Sequence, residues 1–478
     1  MENDDNVKYN IAMCSDFFYP QIGGVEFHMY HLSQKLINKG HNVIIITHNY
    51  GERMNIRFLT NGLKIYYLPY LVVARQTSFP TIFASLPVMR QIFIRENINI
   101  IHSHGSVSTI SHEALIHGAM MDIPTLLTDH SLYPFNSLSH ILVNKLLRFS
   151  TTLTNKLIAV SQTTKENLCI RSGRHPSDCF VIPNAVVADD FKPVPLNELA
   201  QNERYNDVES ITVVVISRLF ENKGIKLLIQ VIPELCEKNK NLNFIIAGDG
   251  PMFIDLQQMI ELNKLEDRIE LMGSIPHEKV RDVMIKGDIY LHCSLIEAFG
   301  TVLVEAASSG LLIVTTTVGG ILEVLPDHMA VYCHDLSSQC IIDGVLKGIK
   351  KWKELKKKDL IDYNNNKQEK GLLRTLPFQW RFHNEIQNLY NWENVADRTL
   401  KVYHQATKQQ KDEKLNMLEK IVTYYMKKVD NDDGFFSRLL YALCCTVNLI
   451  YLLFLDKVWD PRENIEKAVK WNRFSLDE

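Results

Sequence analysis

The sequence holds little that would cross-link, export or strongly charge the protein. No CxxC spacing occurs, and the nine cysteines are odd in number and lie mostly in apolar runs. A disulfide framework or a zinc site is therefore disfavoured, and a reducing compartment fits best. The net charge is only −3, from 52 basic and 55 acidic side chains, so no nucleic-acid or other polyanion partner is implied. The opening stretch, MENDDNVKYN, is acidic and polar and has none of the basic and apolar regions of a signal peptide. GxGxxG is missing, and the second strand candidate closes on Thr47-His48 rather than an acid, which argues against a dinucleotide site. No short-period repeat is visible. At 478 residues the chain has ample material for two large or three smaller domains.

What is present is one pattern, used twice. The first series of strand candidates is Ile11–Ser15, Val43–Thr47, Ile65–Leu68, Ile98–His102, Thr125–Thr128, Lys156–Val160 and Phe180–Ile182. The second is Thr212–Ile216, Phe244–Ala247, Ile269–Met272, Ile289–Cys293, Ile313–Thr315 and Ala330–Cys333. Helical patterns intervene: Val25, Met29, Leu32 and Leu36 recur at helical spacing, with Gly40 placed to end the helix. Continuous runs such as ITVVVIS suit strands buried on both faces, hence parallel sheets. A polar stretch within 189–210 separates the series as a linker. The fold expected is α/β, two Rossmann-like domains over 1–188 and 211–388 facing across a cleft. Lys350–Lys370, rich in Lys and Asn, reads as a solvated helix end and loop.

The strongest chemical signal is EAFGTVLVEA, Glu297–Ala306. An apolar strand, a Phe-Gly turn and a helix start put free amides where α/β proteins bind phosphate. Glu297 and Glu305 are eight residues apart and lie near one helix face, so one can hold a sugar ring and the other a ribose. Phe299, Gly300 and Thr301 form the turn between them. Ser217–Gly224, SRLFENKG, carries Arg218 and Lys223 in the loop after a strand, where two cations can neutralise a diphosphate; solvated surface charges are the alternative reading. Gly23-Gly24 opens the first helix, where bare backbone can approach a phosphate. Gly248 in AGDGP and Gly273 end strands and offer backbone to a base, or serve only as turns. His102, His104 and His130 gather at one rim. Zinc there is not supported by any carboxylate or cysteine spacing, and His130 is read as a polar contact to a transferred sugar. No metal or cofactor is expected. Asp430-Asn431-Asp432 has a DxD form but reads as a solvated segment.

Phe435–Leu455 is apolar all round and carries one charge, Arg438. As a helix it would cover roughly 31 Å at ~1.5 Å per residue, enough for a ~30 Å hydrocarbon core. It is expected to span a membrane over 435–455, with the N-terminal bulk cytosolic and 456–478 as a short tail on the far side; a buried core helix of a soluble enzyme is the alternative reading. Asn448 near its middle is costly against lipid, so its face, with Tyr441, Cys444 and Cys445, is expected to meet a partner helix. Leu71–Arg95, apolar with Arg75, Arg90 and Arg95, fits either a core helix or a surface against lipid.

FFYPQIGGVE, HSHG, TDHSL, IPNAV, SRLFENKG, AGDGP, EAFG with Glu305, and VGGILEVLP together resemble the retaining GT-B glycosyltransferases of the large sucrose-synthase and mannosyltransferase family, family 4. The likeness covers roughly Asn10 to Tyr403, and WENVADRTLKVY, Trp392–Tyr403, resembles that family's closing helix within 389–430. SDFFYPQIGGVE, IHSHGSVS, TDHSLY, NFIIAGDGP and the C-terminal span resemble the members that move N-acetylglucosamine from UDP-N-acetylglucosamine (UDP-GlcNAc) to phosphatidylinositol, opening GPI-anchor biosynthesis. The resemblance implies a multisubunit enzyme on the cytosolic face of the endoplasmic reticulum, with an N-terminal acceptor domain and a C-terminal donor domain. It implies that Glu305 holds the ribose, Glu297 the donor sugar, and Arg218 and Lys223 the diphosphate, while Gly23, Gly24 and His130 line the donor side. The rival expectations are the same fold with another sugar donor or lipid, and a non-catalytic sugar-nucleotide-binding scaffold.

Overall fold

A strand that is apolar on both faces is stable only between two layers of helix, and both series of strands obey that constraint. The computed structural model describes residues 7–74, 76–133, 138–199, 209–367, 376–426 and 434–468. It divides into one unit of Met1–Pro183 with Trp392–Glu478 and a second of Asn184–Asn391.

In the first unit the strands are β1 (Asn10–Cys14), β2 (Asn42–His48), β3 (Asn55–Phe58), β4 (Lys64–Leu68), β5 (Val72–Ala74), β6 (Thr77–Ser78), β7 (Ile100–His104), β8 (Thr125–Asp129), β9 (Lys156–Ala159) and β10 (Cys179–Val181). Eight of them form one sheet in the order β10-β9-β8-β7-β1-β2-β4-β3. Every pairing in it is parallel except β3 on β4. Strands β5 and β6 make a separate antiparallel hairpin. The helices here are α1 (Gly24–Asn38), α2 (Leu86–Arg95), α3 (Thr109–Met120), α4 (Leu138–Thr151) and α5 (Gln162–Ser172). The expected stripe on α1 is the buried one: Met29, Leu32 and Leu36 are solvent-free. Gly40 ends that helix, with its N–H on Ile37 O at 2.9 Å and His41 N–H on Leu36 O at 3.1 Å. Helix α3 has no polar face at all, since every one of its residues is buried. Ser108 caps it by accepting from Ser111 N–H at 3.1 Å.

The second unit has β11 (Ile211–Ile216), β12 (Leu242–Ala247), β13 (Ile269–Gly273), β14 (Ile289–His292), β15 (Leu312–Thr316) and β16 (Ala330–Cys333), all parallel, in the order β13-β12-β11-β14-β15-β16. Its helices are α6 (Ile225–Lys238), α7 (Phe253–Asn263), α8 (Val280–Met284), α9 (Thr301–Ser308), α10 (Ser338–Lys367) and α11 (Phe378–Leu389). The Lys-rich stretch from Lys350 is helical as far as Lys367, and 368–370 lie outside the described residues. Of the expected linker, Ala188–Phe191 is a short 3-10 turn with Phe191 buried, and 200–208 lie outside the described residues. So does the DxD segment at 430–432.

After Asn391 the chain returns to the first unit as α12 (Trp392–Asp412), α13 (Met417–Met426) and α14 (Phe435–Phe454). Lys35 pairs with Glu393 at 2.8 Å and Lys39 with Asp397 at 2.7 Å. Half-exposed pairs of this kind contribute about 0–1 kcal/mol each, so the larger hold on α1 comes from the buried Trp392, packed on Phe27, His28 and His31. Helix α14 is apolar enough to cross a membrane by length and composition. Its Asn448 face is covered by this chain itself, which corrects the expectation of a helix from another protein. Asn448 is fully buried, with Nδ2 3.3 Å from His117 Nδ1 of α3.

The first unit also buries a complete ion pair. Arg171 Nη1 meets Asp129 Oδ2 at 2.9 Å with both side chains at 0% exposure. Arg171 also donates to Asn144 Oδ1 and Ser106 Oγ, both at 2.8 Å, while Asp129 Oδ1 accepts from Ser106 N–H at 3.2 Å. Removing one partner strands the other charge. Arg171→Met should cost about 3–5 kcal/mol in urea unfolding of the detergent-solubilised chain, and adding Asp129→Leu should recover a large part of that loss.

Candidate active site

The strand order of the second unit reverses between β11 and β14, and open α/β sheets bind ligands at that switch point, beyond the strands' carboxyl ends. The two loops leaving these strands carry the expected charged residues. Asn222 O accepts from Leu295 N–H at 2.9 Å and from Ser294 Oγ at 3.3 Å. At Gly224 (φ +75°) a Cβ would lie 1.9 Å from Cys293 O, so only glycine lets the loops approach this closely. Across this junction Lys223 Nζ bonds Glu297 Oε2 at 2.6 Å. His292, ending β14, places Nε2 3.5 Å from the same oxygen without forming a hydrogen bond.

The two glutamates of the motif differ in state. Burial pushes Glu297 upward, but the neighbouring His292 ring and the Lys223 ammonium overcome it and hold the carboxyl at about 2. It is ionised at any physiological pH. Glu305 lies on α9 and has no hydrogen-bond or ionic partner among the described residues; burial alone pushes its carboxyl up to about 7. Although part of its surface meets solvent, protein surrounds the carboxyl closely enough for desolvation to dominate. Such a group lacks donors, and hydroxyls brought by a ligand would supply them. Arg218 is exposed, lies with its guanidinium 5.8 Å from the Phe220 ring centre, and has no acidic partner among the described residues. The loop after β11 therefore carries one cation without an acidic partner and one shared with Glu297.

Gly300 (φ +83°) precedes α9, and Thr301 is its first residue. The Phe299 ring is buried against Tyr390, centroids 5.7 Å apart, so any ligand contact from Phe299 falls to its backbone. Gly248 N–H donates to Gly273 O at 2.7 Å, joining the turns after β12 and β13. Gly320 N–H donates to Glu297 O at 3.0 Å and anchors the motif to the Gly-rich turn after β15.

In the first unit, Gly23 is the N-cap of α1 and Gly24 opens it, exposed. The rim histidines form a relay larger than the sequence indicated. His104 Nδ1 and His130 Nε2 are 3.2 Å apart. His28 of α1 packs edge-on to His130, centroids 4.7 Å apart. His102 joins Tyr403 OH at 2.8 Å and Thr128 Oγ1 at 2.6 Å. Burial, then the charge of His102, lowers His130 to about 3, and burial lowers His104 strongly. His102, His104 and His130 are therefore neutral at pH 7, and buried His130 Nδ1 has no protein partner among the described residues. Ring nitrogens of His28, His104 and His130 lie within 4.8 Å of one another, a spacing a metal ion would also accept. His28 and Trp392 escaped sequence reasoning because they reach the relay from α1 and from α12, some 260 residues further along the chain than His130. His292 had a signal, as the last residue of the strand before EAFG.

The raised Glu305 sets a pH dependence of stability. The folded chain holds a proton that the unfolded chain releases from pH 4.5 upward, so stability falls as pH rises from 4.5 to about 7. Glu305→Gln should flatten that slope, and at pH 8 should be the more stable by up to about 3 kcal/mol, read from urea midpoints at both ends of the range.

Comparison with known proteins gives the family and the fold. The model of PIGA (GPI anchor biosynthesis) matches residues 48–137, and that of glycosyl transferases group 1 matches 198–368. The phosphatidylinositol N-acetylglucosaminyltransferase GPI3 subunit of Saccharomyces cerevisiae is 46% identical over 98% of this chain and 97% of its own length. The matching phosphatidylinositol N-acetylglucosaminyltransferase subunit of Homo sapiens is 43% identical over 94% of this chain and 85% of its own. Among solved structures, the sucrose-phosphate synthase of Thermosynechococcus elongatus superposes with a TM-score of 0.61 at 17% identity, covering 83% of this chain and 99% of that one. The catalytic domain of starch synthase IV from Arabidopsis thaliana does so with 0.61 at 14% identity, covering 84% and 100%. The fold is that of a GT-B glycosyltransferase, and the chain belongs to the GPI3/PIGA family of phosphatidylinositol N-acetylglucosaminyltransferase subunits.

Proposed function

We propose that the chain transfers N-acetylglucosamine from UDP-GlcNAc to the inositol 6-hydroxyl of phosphatidylinositol with retention, as the first step of GPI-anchor biosynthesis. We assign it to the cytosolic face of the endoplasmic reticulum membrane, within a multisubunit transferase. The observation that carries this reading is the charge arrangement at the switch point. An ionised Glu297 is pinned by Lys223, Arg218 stands free, and Glu305 lacks donors. A scaffold has no need of that set. The family membership, at 46% identity along nearly the whole chain, supports the donor and the acceptor.

In this reading the ribose hydroxyls donate to Glu305, and the turn glycines Gly248 and Gly273 present backbone to the base. Arg218, Lys223 and the first amides of α9, from Gly300 and Thr301, hold the diphosphate. The bond from the sugar's anomeric carbon to the β-phosphate oxygen breaks, and the bond to the inositol oxygen forms on the same face. The leaving phosphate takes the acceptor's proton. The protein supplies orientation and charge stabilisation as negative charge grows on the leaving group. Glu297, kept ionised and fixed by Lys223, accepts from hydroxyls of the transferred sugar. From the first unit we assign to the same reaction the neutral imidazole of His130 and the backbone of Gly23 and Gly24.

Membranes carrying the chain with its partner subunits should move radiolabelled N-acetylglucosamine from UDP onto phosphatidylinositol, and Glu297→Ala should abolish it. Arg218→Ala and Lys223→Ala should each lower kcat by about 10²–10³-fold with a smaller change in KM. A change confined to KM would remove both from leaving-group stabilisation. Transfer from a different nucleotide-sugar, or to a different lipid, would replace the donor or acceptor assignment. No transfer from any donor would leave a binding protein without catalysis.

A further inference from the structure

Two of the rim histidines each keep one buried ring nitrogen without a partner, and together they decide where a proton sits. Residues two apart share a face of a strand, so His102 and His104 of β7 face the same way as Thr128 of β8 and His130 just beyond it. His102 is saturated, with Nδ1 on Tyr403 OH at 2.8 Å and Nε2 on Thr128 Oγ1 at 2.6 Å. His104 and His130 share a single contact, Nδ1 of the first to Nε2 of the second at 3.2 Å. That leaves His104 Nε2 and His130 Nδ1, both buried and both without a hydrogen-bond partner among the described residues.

The backbone holds His104 firmly in this place. Its carbonyl oxygen accepts from Ser15 Oγ at 3.0 Å and from Ser111 Oγ at 2.6 Å. The N–H of Gly105, the next residue, donates to Thr128 O at 2.8 Å. The His28 ring covers the pair from α1, its centroid 5.6 Å from that of His104 and 4.7 Å from that of His130. Burial keeps His104 and His130 neutral at pH 7, so each ring has one N–H and one bare nitrogen.

The shared contact can then be made in two ways. If His130 Nε2–H donates, His104 Nδ1 accepts and the His104 proton must sit on Nε2. That is an N–H in a ring at 0% exposure, where no ligand reaches it. If His104 Nδ1–H donates, its Nε2 is a bare lone pair, and the remaining N–H is Nδ1 of His130, a ring that is partly exposed. A sealed, unpaired N–H is costlier than a sealed lone pair. An N–H on a ring at an open edge can be satisfied by a ligand.

We propose that His104 is a positioning residue that sets the tautomer of His130. Its Nδ1–H donates to His130 Nε2, and His130 in turn presents Nδ1–H to an oxygen of the bound substrate. Which imidazole nitrogen carries the proton is fixed by the bond that the other one makes. His130 is then a hydrogen-bond donor and not a base: Nε2 is occupied and Nδ1 is protonated, so the ring has no lone pair with which to take the acceptor's proton. That proton goes to the leaving phosphate. The use of His130 in the reaction rests on the transferase reading, whereas the tautomer does not.

The tautomer is read by solid-state NMR of the full chain, carrying isotope-labelled histidine and reconstituted in phosphatidylcholine vesicles, with His130→Gln identifying the His130 signals by difference. Wild type should show a neutral His130 protonated on Nδ1, a result that needs no variant of His104 to fold. His104→Leu removes the donor and should move the proton to Nε2. His104→Asn, whose amide N–H replaces Nδ1–H, should return it to Nδ1. A wild-type His130 protonated on Nε2 would overturn the proposal, as would a proton that stays on Nδ1 in His104→Leu. In membranes with the partner subunits, His104→Leu should lower kcat at least about tenfold, and His104→Asn should stay within about threefold of wild type. The inhibition constant of UDP should change by less than about twofold in both. Unchanged kcat in His104→Leu, or an equal loss of UDP binding, would overturn the positioning role. Absence of transfer by wild type would instead count against the transferase reading and leave the NMR result to decide the tautomer.

Discussion

The inner strands of both sheets are buried on both faces, and that constraint decides where chemistry is possible. Side chains within such strands are apolar or neutral and mostly hydrogen-bonded, with His104 Nε2 of β7 and His292 Nε2 of β14 as exceptions, so free charge belongs beyond the strand ends. The polar groups follow this rule closely. Asp16, just past β1, accepts from Ser108 Oγ at 2.7 Å and Ile110 N–H at 3.1 Å. Asp129, at the end of β8, holds Arg171. These two carboxylates are saturated and structural. Arg218, in the loop after β11, has no acidic partner, and Glu305, on α9, has no hydrogen-bond or ionic side-chain partner among the described residues, which sets them apart from the saturated pair.

The motif that places two glutamates eight residues apart gives them opposite fates through very local causes. Glu297 lies in the loop, where it meets a lysine from the neighbouring loop. Glu305 lies on the helix, where nothing cationic reaches it. The same burial that would neutralise both is overcome at one and not at the other. Hence one carboxylate is a permanent anion and the other changes charge near neutrality.

Most of the fold was legible because the strands are long, apolar and punctuated by glycine. Each strand of both expected series appears within a residue or two of its expected limits. The strand β3 and the β5–β6 hairpin were not legible: β3 is exposed at all four residues and has no alternation to betray it. Within the site, Glu297, Lys223 and Glu305 could be read from one motif and one loop, whereas the ring of histidines around His130 needed the tertiary fold to bring His28 in from α1. The amide of Asn448 was correctly marked as needing a partner. The partner is His117 of the same chain, which the sequence does not indicate, because a long apolar helix gives no sign of which of its faces the protein itself will cover. His117 lies in α3, a helix with no polar face whose burial on all sides only the tertiary structure explains.

The core of the first unit is completed by residues from both ends of the sequence. Tyr424, Tyr441 and Cys445 lie in the same apolar cluster as Ala12 and Ile44. During synthesis, therefore, the first unit cannot finish folding when its own opening 183 residues leave the ribosome. It must wait, partly open, while the whole of Asn184–Asn391 emerges and folds. A chain terminated shortly before α13 would carry a finished second unit joined to a first unit with a hole in its core, which is the kind of product that quality control removes.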